Sequence, residues 1–203
     1  MFNRQILFLF LLGLMLSLAS FLLLDQKLAP LALVSADTAF AIWSAITILG
    51  DTSWVALLVL TIWAFTYALG NVQPDTLHWP LIRKKAVLVF AAIALPRIAV
   101  MILKFGVGRA RPYMGDIGSH PFNRSEDFAS WPSGHATIAF AFAMAVGLVI
   151  PALRWPLFAL AVLVGYSRMA LGMHYLADVI AGATIGAVGA VLVYRWLAPK
   201  LGF

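Results

Sequence analysis

A chain of 203 residues that is 63% hydrophobic and only 11% charged, with a mean hydropathy of +0.96, is excluded from the ordinary soluble class, where about a quarter of residues carry charge. The net charge of +6 does not form the continuous basic stripe of a nucleic-acid binder; basic residues gather instead at the ends of apolar runs, as topology signals do. The absence of cysteine excludes disulfides, thiolate nucleophiles and cysteine metal sites.

In chain order, six apolar runs approach the roughly 20 residues a bilayer-crossing helix requires. They cover 6–24, 53–70, 84–104, 134–150, 156–172 and 175–197. The length suits one domain, residues 1–203, and the pattern predicts an all-α, polytopic membrane protein built as a six-transmembrane-helix bundle. The first run follows Arg4 and exceeds the about 7–15 apolar residues of a cleavable signal, so it reads as a retained span. Segment 31–49 is apolar but interrupted by Asp37 and closed by Gly50-Asp51. It reads as a short interfacial or partly re-entrant helix between spans one and two.

With the N-terminus in the cytoplasm, the inner side of such a bundle receives Arg4, Arg83, Lys84, Lys85, Arg154, Arg195 and Lys200, and the first outer loop carries Asp25, Asp37 and Asp51 against Lys27. This asymmetry obeys the positive-inside rule. Lys104, Arg109, Arg111, Arg124 and Arg168 break it, and most of them belong to three polar clusters, which points to chemistry as the reason for the breach. The connection 104–133 is rich in glycine and proline and reads as a loop. Asp116, Glu126 and Asp127 read as its solvated acidic residues. Gly182, Gly186 and Gly189 give the last span a small-residue packing face.

The first cluster is Lys104 with Arg111-Pro112, around a glycine-bearing turn. The second is Pro132-Ser133-Gly134-His135, opening the fourth span, where Ser133 can cap the helix and Gly134 lets backbone N–H groups approach an anion. The third is Ser167-Arg168 with His174 and Asp178. The last two lie four residues apart and share a helical face. A carboxylate in reach of one ring nitrogen fixes the tautomer and aims the other nitrogen as a nucleophile or base. Taken alone, the pair reads equally well as a helix-terminal arrangement with Asp178 favoured by the dipole. Three cations at helix ends on one side of a bilayer can wrap the oxygens of a phosphoryl group; lipid-headgroup anchoring explains one or two of them.

These clusters resemble the type 2 phosphatidic acid phosphatase superfamily, whose patterns K-x6-R-P, P-S-G-H and S-R-x5-H-x3-D occur here in order across residues 104–178. The resemblance implies a metal-independent phosphatase with no cofactor, acting on a lipid phosphate or pyrophosphate in a bacterial inner membrane; the charge asymmetry puts both termini in the cytoplasm and the clusters at the outer surface. The resemblance also implies that His174 attacks phosphorus to give a phosphohistidine, that Asp178 orients it, and that His135 protonates the leaving oxygen and then activates water. Lys104, Arg111, Arg168, Ser133 and Gly134 would hold the phosphate.

Two further cations are possible substrate contacts. Arg97 lies seven residues before Lys104, about 10 Å deeper along the same helical face, and reads equally as a pocket-floor group for a second phosphate or as the partner of a buried carbonyl or carboxylate. Arg109 either touches phosphate, the preferred reading, or faces the lipid surface. Among substrates, undecaprenyl pyrophosphate is slightly preferred over phosphatidylglycerol phosphate, phosphatidic acid or a lipid A phosphate. The alternative class is a phospholipid or polyprenyl-phosphate transporter that binds without cleaving.

Overall fold

The computed structural model describes residues 4–32, 37–72, 79–115 and 118–203. Eight helices account for most of them: α1 (Arg4–Leu23), α2 (Asp25–Ala32), α3 (Asp37–Thr47), α4 (Thr52–Val72), α5 (Trp79–Val107), α6 (Gly134–Val149), α7 (Arg154–Ala170) and α8 (Leu176–Leu201). Each of the six apolar runs is a helix. Among the described residues, α1, α4, α5 and α8 are long and apolar enough to cross a membrane. Helices α6 and α7, at 16 and 17 residues, extend only about 24–26 Å, somewhat short of a hydrocarbon core of about 30 Å.

Between the first two runs the structure has two short helices where one is expected. Residues 33–36 lie outside the described set, and so does Asp116. Helix α3 has 11 residues followed by a single 3-10 turn, Ile48–Gly50. Alone it reaches about 17 Å, too little to span. Helix α2 is weakly apolar and falls in a stretch that the hydropathy pattern leaves as loop.

The outward faces are hydrocarbon. Phe8, Met15 and Leu22 on α1, Leu57 and Phe65 on α4, and Ile102 on α5 are exposed, as expected of a membrane protein, where lipid covers such surface. The interior is instead built of small residues. Ala141 and Ala145 of α6 and Ala190 of α8 are buried with Ala92, Ile93 and Val55 in one cluster, and Ala139, Ala143, Ala161 and Val164 form a second between α6 and α7. The glycine face of α8 packs within the chain. A Cβ at Gly182 would collide with the carbonyl oxygen of Ser133, one at Gly186 with that of Thr137, and one at Gly189 with the Pro96 ring. Backbone-to-backbone approach of this kind is how membrane helices gain dispersion energy without a hydrophobic drive.

The helices alternate in direction, which brings the C-terminal ends of α1, α5 and α7 together with the starts of α4, α6 and α8. Ser17 Oγ of α1 donates to Ala177 O in the first turn of α8, Ser133 N donates to Asp178 O, and Arg168 Nη1 of α7 donates to Thr47 Oγ1 just before α4. All three polar clusters therefore share one end of the bundle. The opposite end carries basic side chains: Lys84 lies near Gly202, and Arg154 packs on Gly147.

Candidate active site

The connection from α5 to α6 folds back over the site end. Gly108 turns it with φ +62°; its carbonyl accepts from His120 N at 2.7 Å, and the His120 carbonyl lies where a Cβ on residue 108 would be, so only glycine fits. Arg111 N then donates to Asp127 O, and Ser130 N to Arg109 O, tying the loop's two limbs together. Tyr113 donates to Asp127 Oδ1 at 2.6 Å, and Ser125 Oγ donates to Oδ2 at 2.8 Å. The Tyr113 bond, followed by the Ser125 bond, lowers the Asp127 pKa. Asp127 thus braces the loop and is more than a solvated charge.

Under this loop lies a cavity of about 340 Å³ whose wall includes Arg97, Lys104, Arg111, His135, Arg168 and His174, with Gly134 at one edge. Lys104 projects from the last turn of α5 and donates to the Ala129 carbonyl. Arg111 donates through Nε to Glu126 O at 2.8 Å, pairs through Nη2 with Glu126 Oε2 at 3.1 Å, and rests Nη1 on Met173 Sδ at 3.3 Å. Arg168, from the last turn of α7, is fixed by Thr47 at 2.8 Å. His135 stands in the first turn of α6, with Gly50 close against its Cβ.

Ser133 and Gly134 divide the roles expected of them. The Ser133 hydroxyl is buried and caps α6, accepting from Ala136 N at 3.4 Å, and Ser133 is absent from the cavity wall. Gly134 is on the wall, and the Arg97 guanidinium lies 3.4 Å from the place its Cβ would take. Arg97 Nη1 is buried without a hydrogen-bond partner, while the charges of Glu126 and Asp51 are close enough to act on the guanidinium.

His174 follows the turn after α7 and is 3% exposed. Its Nδ1 is 3.5 Å from Asp178 Oδ2 without closing a hydrogen bond. Burial pushes the imidazole pKa down to about 3, against the upward pull of Asp178, so the ring is neutral and keeps a lone pair at neutral pH. Nearby, Asp51 receives Ser53 N at 2.7 Å, and that bond holds its carboxyl below the usual range.

Arg109 is placed differently from Arg111. It is 5% exposed and pairs with Asp25 at 2.8 Å and Asp178 at 2.5 Å. It stands behind His174 and outside the cavity wall. A chain reading could not choose between these orientations for two arginines separated by one alanine. Sequence reasoning also missed Asn123, Ser125 and Glu126 on the wall, Thr47 as a holder of Arg168, and Ser130, whose hydroxyl donates to Asp178 Oδ2 at 2.5 Å. Asp25, counted as an outer-loop charge, is buried. Its signal was a lone carboxylate directly behind an apolar run.

Chemically, the cavity offers five basic side chains, Arg97, Lys104, Arg111, Arg124 and Arg168, one neutral imidazole backed by a carboxylate, and a second imidazole on the wall. Such a set can hold a tetrahedral anion and move a proton beside it.

The model of the PAP2 superfamily matches residues 85–201. A lipid A 1-phosphatase of Rhizobium johnstonii is 38% identical over 103 residues, 49% of this chain and 42% of that protein. The undecaprenyl-diphosphatase BcrC of Bacillus subtilis is 27% identical over 142 residues, 70% of this chain and 66% of that protein. The chain thus spans less than half the length of the first of these relatives. Among solved structures, a transmembrane PAP2-type phosphatidylglycerolphosphate phosphatase from Bacillus subtilis shares the fold, with a TM-score of 0.72 at 23% identity and 98% of both chains covered.

Proposed function

The chain belongs to the PAP2 superfamily, and on that premise we propose that it is a phosphatase hydrolysing a lipid phosphate or pyrophosphate through a phosphohistidine on His174. The observation that carries this reading is the meeting of His135, His174, Lys104, Arg111 and Arg168 on one cavity wall, with Asp178 behind His174 Nδ1.

With Nδ1 turned to Asp178, Nε2 is the nitrogen left for phosphorus. Its lone pair forms the N–P bond as the P–O bond to the leaving group breaks, and His135 gives that oxygen its proton. Water then attacks phosphorus, losing a proton to His135; the N–P bond breaks and phosphate departs. Negative charge on the transferring group is met by Lys104, Arg111 and Arg168 and by the N-terminus of α6 at Gly134. Asp178 supports the positive imidazole of the intermediate. The Ser133 hydroxyl acts here through the cap that aims Gly134 and His135.

For the substrate we favour a diphosphate headgroup on a long isoprenoid tail, undecaprenyl pyrophosphate above the monophosphate lipids. Arg97 supports this: it lines the same cavity from about two helical turns before Lys104 on α5, and would supply the charge for a second phosphate. The site end would face the periplasmic or extracellular side of a bacterial inner membrane, because the basic ends of α5, α7 and α8 lie at the other end and mark the cytoplasm, with both termini on that side.

The test is inorganic phosphate release by detergent-solubilised protein from undecaprenyl pyrophosphate, phosphatidylglycerol phosphate, phosphatidic acid and lipid A phosphate, with chelator present and His174→Ala as control. Release from the diphosphate lipid above the others, lost in the control, is expected. A carrier that binds without cleaving would release none, and undiminished release by the control would remove the phosphohistidine.

A further inference from the structure

We propose that Asp25, at the junction of α1 and α2, is a positioning residue for the reaction, acting through Arg109 and the first turn of α8 on the Asp178–His174 pair. The inference rests on the reading of His174 as nucleophile and extends it to a residue outside the 85–201 stretch matched by the family.

Asp25 is 2% exposed, and both carboxylate oxygens are committed. Oδ1 accepts from Ser20 Oγ at 2.9 Å and from Ala177 N at 3.0 Å; Oδ2 accepts from Arg109 Nη2 at 2.8 Å. Ala177 is the second residue of α8, so its N–H is one of the donors a helix start leaves without an internal partner. Asp25 satisfies that donor from another helix. The carbonyl of the same residue is held as well: Ser17 Oγ of α1 donates to Ala177 O at 2.9 Å. The α1–α2 corner therefore grips the peptide immediately preceding Asp178.

Arg109 conveys the second effect. Its Nη1 meets Asp178 Oδ1 at 2.5 Å, and its guanidinium lies over two rings, 4.7 Å from the Phe21 centroid and 4.1 Å from that of Tyr175. A carboxylate on each terminal nitrogen and two aromatic rings against the guanidinium constrain how the fork can turn. With Oδ1 held by Arg109, the other oxygen, Oδ2, is the one turned to Ser130, Tyr175 N and His174 Nδ1. Arg109 divides its charge between two carboxylates. Without the Asp25 charge, all of it would fall on Asp178, which would then support a positive imidazole less well. Buried pairs of this sort gain little net stability, whereas fixing the partner of a nucleophile has a direct consequence for rate.

The experiment is rapid-quench measurement of the phosphoenzyme on the full chain in detergent, comparing wild type, Asp25→Asn, Asp25→Glu and His174→Gln. Burst amplitude counts active sites, and the burst rate reports chemistry at each. Asp25→Asn is expected to keep the amplitude and lower the burst rate about tenfold or more with KM within about twofold, and Asp25→Glu to recover part of the rate. A lower amplitude at unchanged rate per site would mean that Asp25 only holds the fold, and would overturn the proposal, as would a wild-type rate. If Asp25→Asn does not survive purification, Ser20→Ala, which deletes one bond to the same carboxylate, should slow the burst about threefold; an unchanged burst sinks the idea equally. A phosphoenzyme that persists in His174→Gln would defeat the underlying reading instead, so the two failures are distinct.

Discussion

The two sides of His174 are built to opposite rules. In front, the cavity wall gathers cations whose partners are mostly neutral: a loop carbonyl for Lys104, a hydroxyl for Arg168, and a carbonyl, a sulfur and the exposed Glu126 carboxylate for Arg111, with no hydrogen bond at Arg97 Nη1. Behind, two buried carboxylates share one guanidinium, and every carboxylate oxygen is engaged. The front is a mainly positive surface with one carboxylate, Glu126, on its wall; the back is a buried network in which both carboxylates are fully committed. The contrast assigns each region its work: an incompletely paired front can accept a ligand, and a back whose carboxylates are all committed can hold geometry.

The largest break in that contrast comes from removing a frontal cation. Arg168→Ala should lower kcat/KM for the lipid substrate about 10³-fold, since a donor aimed at developing charge is worth several kcal/mol; steady-state phosphate release measures it. Arg97→Gln should be selective, lowering turnover of a diphosphate lipid about thirtyfold and of a monophosphate lipid severalfold. Equal losses on both lipids would deny the second-phosphate role.

The buried ring at the divide gives a pH signature. His174 has a folded pKa of about 3 against 6.5 for an ordinary histidine. Between those values the unfolded chain binds a proton that the folded chain refuses, so this residue's contribution to stability falls as pH drops from 6.5 toward 3. In detergent, the melting temperature of wild type should decline more steeply over that range than that of His174→Gln. The smallest effect belongs to the front's rim. Glu126 pairs with Arg111 but is 91% exposed, and exposed pairs contribute about 0–1 kcal/mol. Glu126→Gln should leave stability within about 0.5 kcal/mol and turnover within about threefold.

The front was far more readable from the chain than the back. Lys104, Arg111, Gly134, His135, Arg168 and His174 sit at ends of apolar runs at fixed spacings, and each of those runs is a helix, so their convergence followed from alternating helix direction. Arg109 and Asp25 carry no such mark. The contacts of Asp25 lie 84 and 152 positions away, and a carboxylate after an apolar run looks the same whether it meets water or a guanidinium. Helix α2 escaped notice because eight residues of mixed polarity have no periodicity to detect. The glycine face was visible as a face, but its partner was settled only by the Ser133 and Thr137 carbonyls lying against it.

That seam between α6 and α8 has a consequence for how the molecule tolerates change. Residues 182 and 186 touch the main chain of the helix that carries His135, within two turns of Asp178, so bulk introduced there pries the two imidazoles apart while the rest of the bundle keeps its lipid-covered faces. Drift at these two positions would reach the paired histidines through the backbone, without any change to a residue on the cavity wall.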